Sequence, residues 1–290
     1  MPMEGHAHTP SMALLLVFLG LLTLLYFGGV AYQRRVAGRG WSLWRTAAWG
    51  SGAAVLALGL MPQYLPFPSG DFRQHMLQHL LLGMLAPLGL VMGAPITLVL
   101  RTAPVRFGKV IVRALRSRTI RLWANPVTAL VLNLGGMAAL YFTPLYRAMM
   151  TYPGLHYLVH FHFVAAGCLY VWVIAGPDPA PHRLSVPARL VVLGVAVVIH
   201  SIMAQMLYAG WFVAIPVPPD QLRRGAELMY YGGDITEMLL AFAMVSTWRS
   251  SGKKVQSNRW VLQNGRFLKH RLVAPLGAFS AHRGRRDTAP

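Results

Sequence analysis

Seven runs of apolar residues restrict this chain to one class of fold. They fall at about residues 12–32, 43–61, 75–100, 124–142, 154–176, 187–210 and 227–248. As helices, runs of this length cross a hydrocarbon core of about 30 Å. Their apolar residues do not follow the one-sided stripe of a helix on a soluble protein. Lipid is therefore the expected solvent, and in lipid the backbone must satisfy its own hydrogen bonds, which favours helix over open sheet. The expectation is an all-α polytopic integral membrane protein with seven transmembrane helices. A short outer arm (1–11) precedes the membrane domain (12–248), and a basic tail (249–290) follows it. No basic residue precedes the first run and no small-residue cleavage pattern follows it, so it reads as a span rather than a removable signal.

Charge sets the expected orientation. A formal net charge of +19 suggests a nucleic-acid binder until the basic residues are located. Under the seven-span reading, 23 of the 27 Lys and Arg fall on one side, leaving only Arg73, Arg147, Arg223 and Arg224 on the other. By the positive-inside rule the amino terminus is outside and the carboxyl terminus cytoplasmic. The charge is then a topology signal, with anionic lipid headgroups as a further partner at the basic loops. The largest such loop, Arg101 to Arg121, is expected to lie against those headgroups. No nucleic-acid partner is expected. The single cysteine, Cys168, excludes an internal disulfide and a cysteine-only metal site.

Turn chemistry adds local expectations. Asn125 followed by Pro126 reads as the N-cap and first position of the fourth span. Gly135 and Gly136 suggest close helix packing there. Pro87 and Pro95 predict a kink in the long third span. In the outer arm, Met1, Met3, His6 and His8 read either as a metal-collecting segment or as a disordered terminus.

Histidines supply the functional signal, because ionisable groups in spans are rare and usually face a protein interior. His75 and His79 open the third span, and His156 and His160 open the fifth. Each pair lies one turn apart on one helix face near the outer boundary, His75 and His79 within about 7 Å of it at 1.5 Å rise per residue. Counted inward in the same way, Met206, Met203 and His200 in span six lie about 6, 10 and 15 Å deep. Asp234 and Glu237 in span seven lie about 10 and 15 Å deep. Four helices thus bring candidate ligands to the outer half: His75, His79, His156, His160, His200, Met203, Asp234 and Glu237. His162 falls about 200° around the helix from His160 and reads as a packing or supporting residue. Asp234 or Glu237 is expected to orient a ligating imidazole by accepting its N–H. The two methionines also read as core filler.

Imidazole with thioether favours copper. Zinc with histidine and carboxylate remains open, as does haem held by histidines on two helices. No nucleophile with an acid and base set points to an enzyme. A haem-binding electron-transfer protein and a non-metal assembly scaffold are the rival readings. A transporter would need polar groups along a whole path, and the inner halves of these spans carry few.

Three segments then carry a family resemblance. They are HMLQHLLLGMLAPLGLVMGAPITLVLR at 75–101, TPLYRAMMTYPGLHYLVHFHFVAAGCLYVWVIAGPDP at 143–179 and YYGGDITEMLLAFAM at 230–244. The chain resembles the CtaG family of multispanning assembly factors for caa-type cytochrome c oxidase. The resemblance implies a seven-helix protein of the bacterial plasma (inner) membrane that acts in oxidase maturation, at the stage of copper delivery or insertion. Oxidase subunits or their copper chaperones would be its partners. It points to His75, His79, His156, His160 and Asp234.

Overall fold

A helix occupies each of the seven apolar runs in the computed structural model, which describes residues 9–35, 38, 40–181 and 183–271, with side chains between 13 and 246. The Met and His residues of the arm, His182 and the aromatic side chains of the tail lie outside that description. Among the described residues there is no strand. The helices are α1 (Thr9–Arg35), α2 (Leu43–Leu60), α3 (Phe72–Leu80), α4 (Ala86–Met92), α5 (Pro95–Thr102), α6 (Val105–Leu115), α7 (Arg118–Trp123), α8 (Pro126–Phe142), α9 (Leu145–Thr151), α10 (Pro153–Ile174), α11 (Val186–Ala209) and α12 (Pro219–Arg271). Residues up to Thr247 form one compact unit and those from Trp248 a second.

Four helical stretches are long and apolar enough to cross a membrane: 13–35, 72–102, 153–174 and 186–209. A fifth arises if α8 and α9, bent by 78° at a short break, make one broken span. The helices at the second and seventh runs are less apolar, since α2 carries Arg45 and α12 carries Asp234 and Glu237.

The third run is three helices in series. Pro87 has no N–H to return to the preceding turn, and the chain widens there into a π-helical turn, Leu81–Leu85, closed by the Ala86 N–H on the Leu81 carbonyl. A second break falls at Ala94, whose φ of 55° is left-handed, immediately before Pro95. Both prolines thus mark interruptions, as expected.

Contacts show how neighbouring helices run. The Tyr26 hydroxyl, late in α1, donates to the carbonyl of Arg45, early in α2, and to that of Gly93. Gln33 donates to the Arg101 carbonyl at 2.8 Å, so α1 and α5 end on the same face. On the opposite face the start of α3 meets the end of α8, where Tyr141 faces His75. Glycines allow close crossings: a side chain on Gly52 of α2 would strike the backbone of Gly89 and Leu90.

Polar loop residues fasten the ends. Asn125 caps α8 by accepting the Val127 N–H, with Pro126 next, as its sequence predicts. Asp178, after α10, is buried and accepts the N–H groups of Ile96 and Thr97 at 3.0 and 2.7 Å and the Thr97 hydroxyl at 2.5 Å. It thereby caps α5, whose Pro95 cannot donate. Arg183 donates to the carbonyls of Gly176 and Asp178, holding this loop. Asp71 caps α3 by accepting the Arg73 N–H at 2.8 Å, and the Arg73 guanidinium binds the same carboxylate. Those side-chain hydrogen bonds hold the Asp71 carboxyl below its ordinary range.

Candidate functional site

Inside the bundle a cavity of about 40 Å³ is bordered by His79, Met84, Asn133, Tyr170, His200, Thr236 and Glu237, with apolar side chains around them. That is room for an ion with a water molecule or two, since one water needs about 10–15 Å³ by the same measure. Residues from α3, the π turn, α8, α10, α11 and α12 meet there.

His79 comes from the last turn of α3, with its ring against Phe163 at 4.7 Å between centroids and edge-on to Tyr141 at 6.0 Å. The π turn presents Met84. Five residues along an α-helix, Met84 would point about 140° away from His79. A turn with i to i+5 hydrogen bonds brings residues five apart toward one face. The Thr236 hydroxyl lies 3.5 Å from the Met84 sulfur and donates to the Gly233 carbonyl at 2.9 Å.

His200 on α11 is almost wholly buried, and its Nδ1 is 3.8 Å from Glu237 Oε1, close enough for attraction and too far for a hydrogen bond. His79 Nδ1, both His200 ring nitrogens, Glu237 Oε2 and the Tyr170 hydroxyl are buried without a hydrogen-bond partner. Buried polar groups nearly always have partners, and leaving one unpaired costs about 1–3 kcal/mol. Five such atoms around one cavity make a polar cradle, in which each neutral imidazole offers one nitrogen lone pair.

The remaining predicted residues lie elsewhere. His75 pairs with the Tyr141 hydroxyl at 3.3 Å and packs edge-on to Tyr146. His156 and His160 contact each other, with ring centroids 4.3 Å apart. Met203 is buried in the apolar core and does not border the cavity. Asp234 is half-buried one turn before Glu237 and does not border the cavity. His162 points elsewhere: its Nε2–H donates to the Leu132 carbonyl at 3.1 Å, above Gly136, where any side chain would collide with the ring. Among the described residues, no three His, Cys, Asp or Glu side chains converge on one point. The eight predicted residues therefore divide into His79, His200 and Glu237, which border the cavity, and His75, His156, His160, Met203 and Asp234, which do not. Met84, Tyr170, Asn133 and Thr236 were missed; the proline two residues after Leu85 was the one available signal that the helix register changes there.

A bundle of apolar helices around buried histidines and a carboxylate defines a helical membrane protein with an internal polar site. The model of the cytochrome c oxidase caa3 assembly factor family, CtaG, matches residues 24–251, and the chain belongs to that family. It is also similar to uncharacterized proteins of Mycobacterium bovis and Mycobacterium tuberculosis, each 29% identical over 257 residues, which are 82% of this chain and 39% of theirs. A Mycobacterium leprae protein is 26% identical over 255 residues, 81% of this chain and 38% of its own. The chain spans about two-fifths of the length of these curated relatives. No solved structure matches it.

Proposed function

We propose that this oxidase assembly factor carries copper as cargo, holding Cu(I) transiently between His79, His200 and the Met84 thioether for transfer to an oxidase subunit or its copper chaperone. The observation that carries the reading is the cradle of unpartnered ring nitrogens around a cavity of about 40 Å³. Cu(I) suits it because two imidazoles and a thioether form a soft, low-coordinate set, and thioether selects Cu(I) over harder ions. Zinc in a structural site takes four ligands, and no three His, Cys, Asp or Glu groups converge among the described residues. A porphyrin is many times larger than this cavity, which weighs against the haem reading. Glu237, beside His200, balances the cation's charge. A low-coordinate ion leaves a position open for an incoming ligand, so transfer proceeds by ligand exchange rather than by a chemical reaction on a substrate.

The same reading takes seven spans, N-out and C-in, in the bacterial plasma membrane. The excess of Lys and Arg on one side supports that orientation. It puts His75, His156 and His160 between the outer surface and the cavity, where copper would arrive. Exposed Trp211, Arg223 and Arg224 form the outer surface offered to the oxidase, and Arg223 lies over the Tyr208 ring.

The test is oxidase maturation in the host membrane. Cells carrying only the His79→Ala, His200→Ala chain are expected to accumulate oxidase protein deficient in copper, with wild-type levels of the assembly factor. Fully metallated oxidase in those cells would reject copper handling and favour a scaffold.

A further inference from the structure

The chain also carries an open groove beside a basic helix. Helix α6 is sharply two-sided: at 100° per residue, Arg106, Lys109, Arg113 and Arg116 fall within one sector of about 80°. Phe107, Ile111 and Ala114 lie away from that sector, and Val110 at its edge. Val105 and Val112, beside the cations, are 74% and 38% exposed, so the described chain leaves apolar side chains uncovered next to the basic ones. No Asp or Glu occurs between Asp71 and Asp178, and none of the four cations forms an ion pair among the described residues. Asp178, the nearest acid in sequence after the helix, is occupied in capping α5.

Where α6 folds back beside the end of α5, the two helices enclose an open groove of about 660 Å³. Leu100, Val105 and Val112 contribute apolar walls, and Lys109, Arg113 and Arg116 the cationic ones. A soluble acidic protein would satisfy the cations and leave the apolar wall of Leu100, Val105 and Val112 uncovered. An amphiphile satisfies both at once, and an amphipathic helix with a basic face is the form that settles in the headgroup layer.

We infer that the α5–α6 groove is a binding site for one anionic phospholipid, its phosphate on Lys109, Arg113 and Arg116 and its acyl chain along Leu100, Val105 and Val112. This is a shaped site rather than diffuse attraction of a basic loop to a charged surface. It is independent of the copper reading, and it anchors the segment linking the third run to α8.

The experiment is native mass spectrometry of the full chain in neutral detergent, titrated with phosphatidylglycerol or with phosphatidylcholine of the same acyl chains. Two triple variants are compared: Lys109→Gln, Arg113→Gln, Arg116→Gln in the groove and Arg118→Gln, Arg121→Gln, Arg147→Gln outside it. All six side chains are exposed, and thermal unfolding in detergent checks that both variants keep the wild-type fold. The expected result is a single retained phosphatidylglycerol on the wild-type and control chains, weakened about tenfold or more in the groove variant, with phosphatidylcholine binding weakly to all. Equal retention by the groove variant, equal binding of the two lipids, or the same loss in both variants would overturn the site. The last of these would leave only diffuse charge, and displacement of the lipid by an acidic cytosolic protein at equal concentration would assign the groove to protein instead.

Discussion

His200 of α11 lies directly across Gly233 of α12, its ring filling the space in which any other residue at 233 would carry a Cβ. The same imidazole reaches toward Glu237, one turn further along α12. A glycine at this point lets two helices close around a histidine that would otherwise hold them apart. The position of His200 at the cavity therefore depends on a residue with no side chain.

Replacing that glycine displaces the ring. Gly233→Ala is expected to destabilise the protein by about 1–3 kcal/mol through overpacking and to abolish copper binding at the cavity. Gly194→Ala on α11 serves as the comparison, because its Cβ meets nothing within 4 Å. There the helix gains about 0.5–1 kcal/mol. Thermal unfolding in detergent measures both.

Met84 separates the inner site from the alternatives. Met84→Leu keeps volume and apolarity and removes only the sulfur, so Cu(I) affinity is expected to fall about tenfold or more while unfolding temperature is nearly unchanged. Met203→Leu, in the core away from the cavity, is expected to leave affinity as it was. Competition against a coloured Cu(I) chelator reads both.

Asp178 joins the loop after α10 to the start of α5 through three hydrogen bonds. Asp178→Asn keeps the shape and removes the charge that suits a helix N-terminus. A loss of about 1–3 kcal/mol is expected from the weakened cap and a misplaced amide donor. The unfolding midpoint in denaturant checks it, and copper binding at the distant cavity is expected to survive.

Acid acts on Asp71. Its folded-state carboxyl sits below the ordinary value of 3.8, held chiefly by the Arg73 side chain. The sign follows: its contribution is fully present above the unfolded value and is lost as pH falls through the lower folded one. The stability difference between wild type and Asp71→Asn is therefore expected to be constant from neutral pH down to about pH 5, and to be lost only as pH falls through the folded value, which lies below 3.8. A difference that persists in stronger acid contradicts the assignment.

Much of the architecture was legible because lipid imposes a coarse rule on sequence: long apolar runs become helices, and a helix stands at each of the seven runs. Asn125 and the prolines announced their roles through fixed backbone chemistry. The site was legible only in part. His79, His200 and Glu237 stand out as polar groups in apolar surroundings, and they border one cavity. Met84 was hidden because α-helical spacing turns it away from His79, and only the π turn brings it round. His75 and Met203 show the converse, since depth in the membrane says nothing of direction. His75 turns toward Tyr141 and Met203 into the core.

The central claim is that His79 and His200 hold copper together. The direct measurement is Cu(I) bound per chain, under reducing conditions, for purified wild-type protein and the His79→Ala, His200→Ala variant, with X-ray absorption of the loaded wild type. The account predicts stoichiometric copper on the wild type, with nitrogen and sulfur neighbours, and none retained by the folded variant. Equal copper on both chains, or none on the wild type, would contradict it.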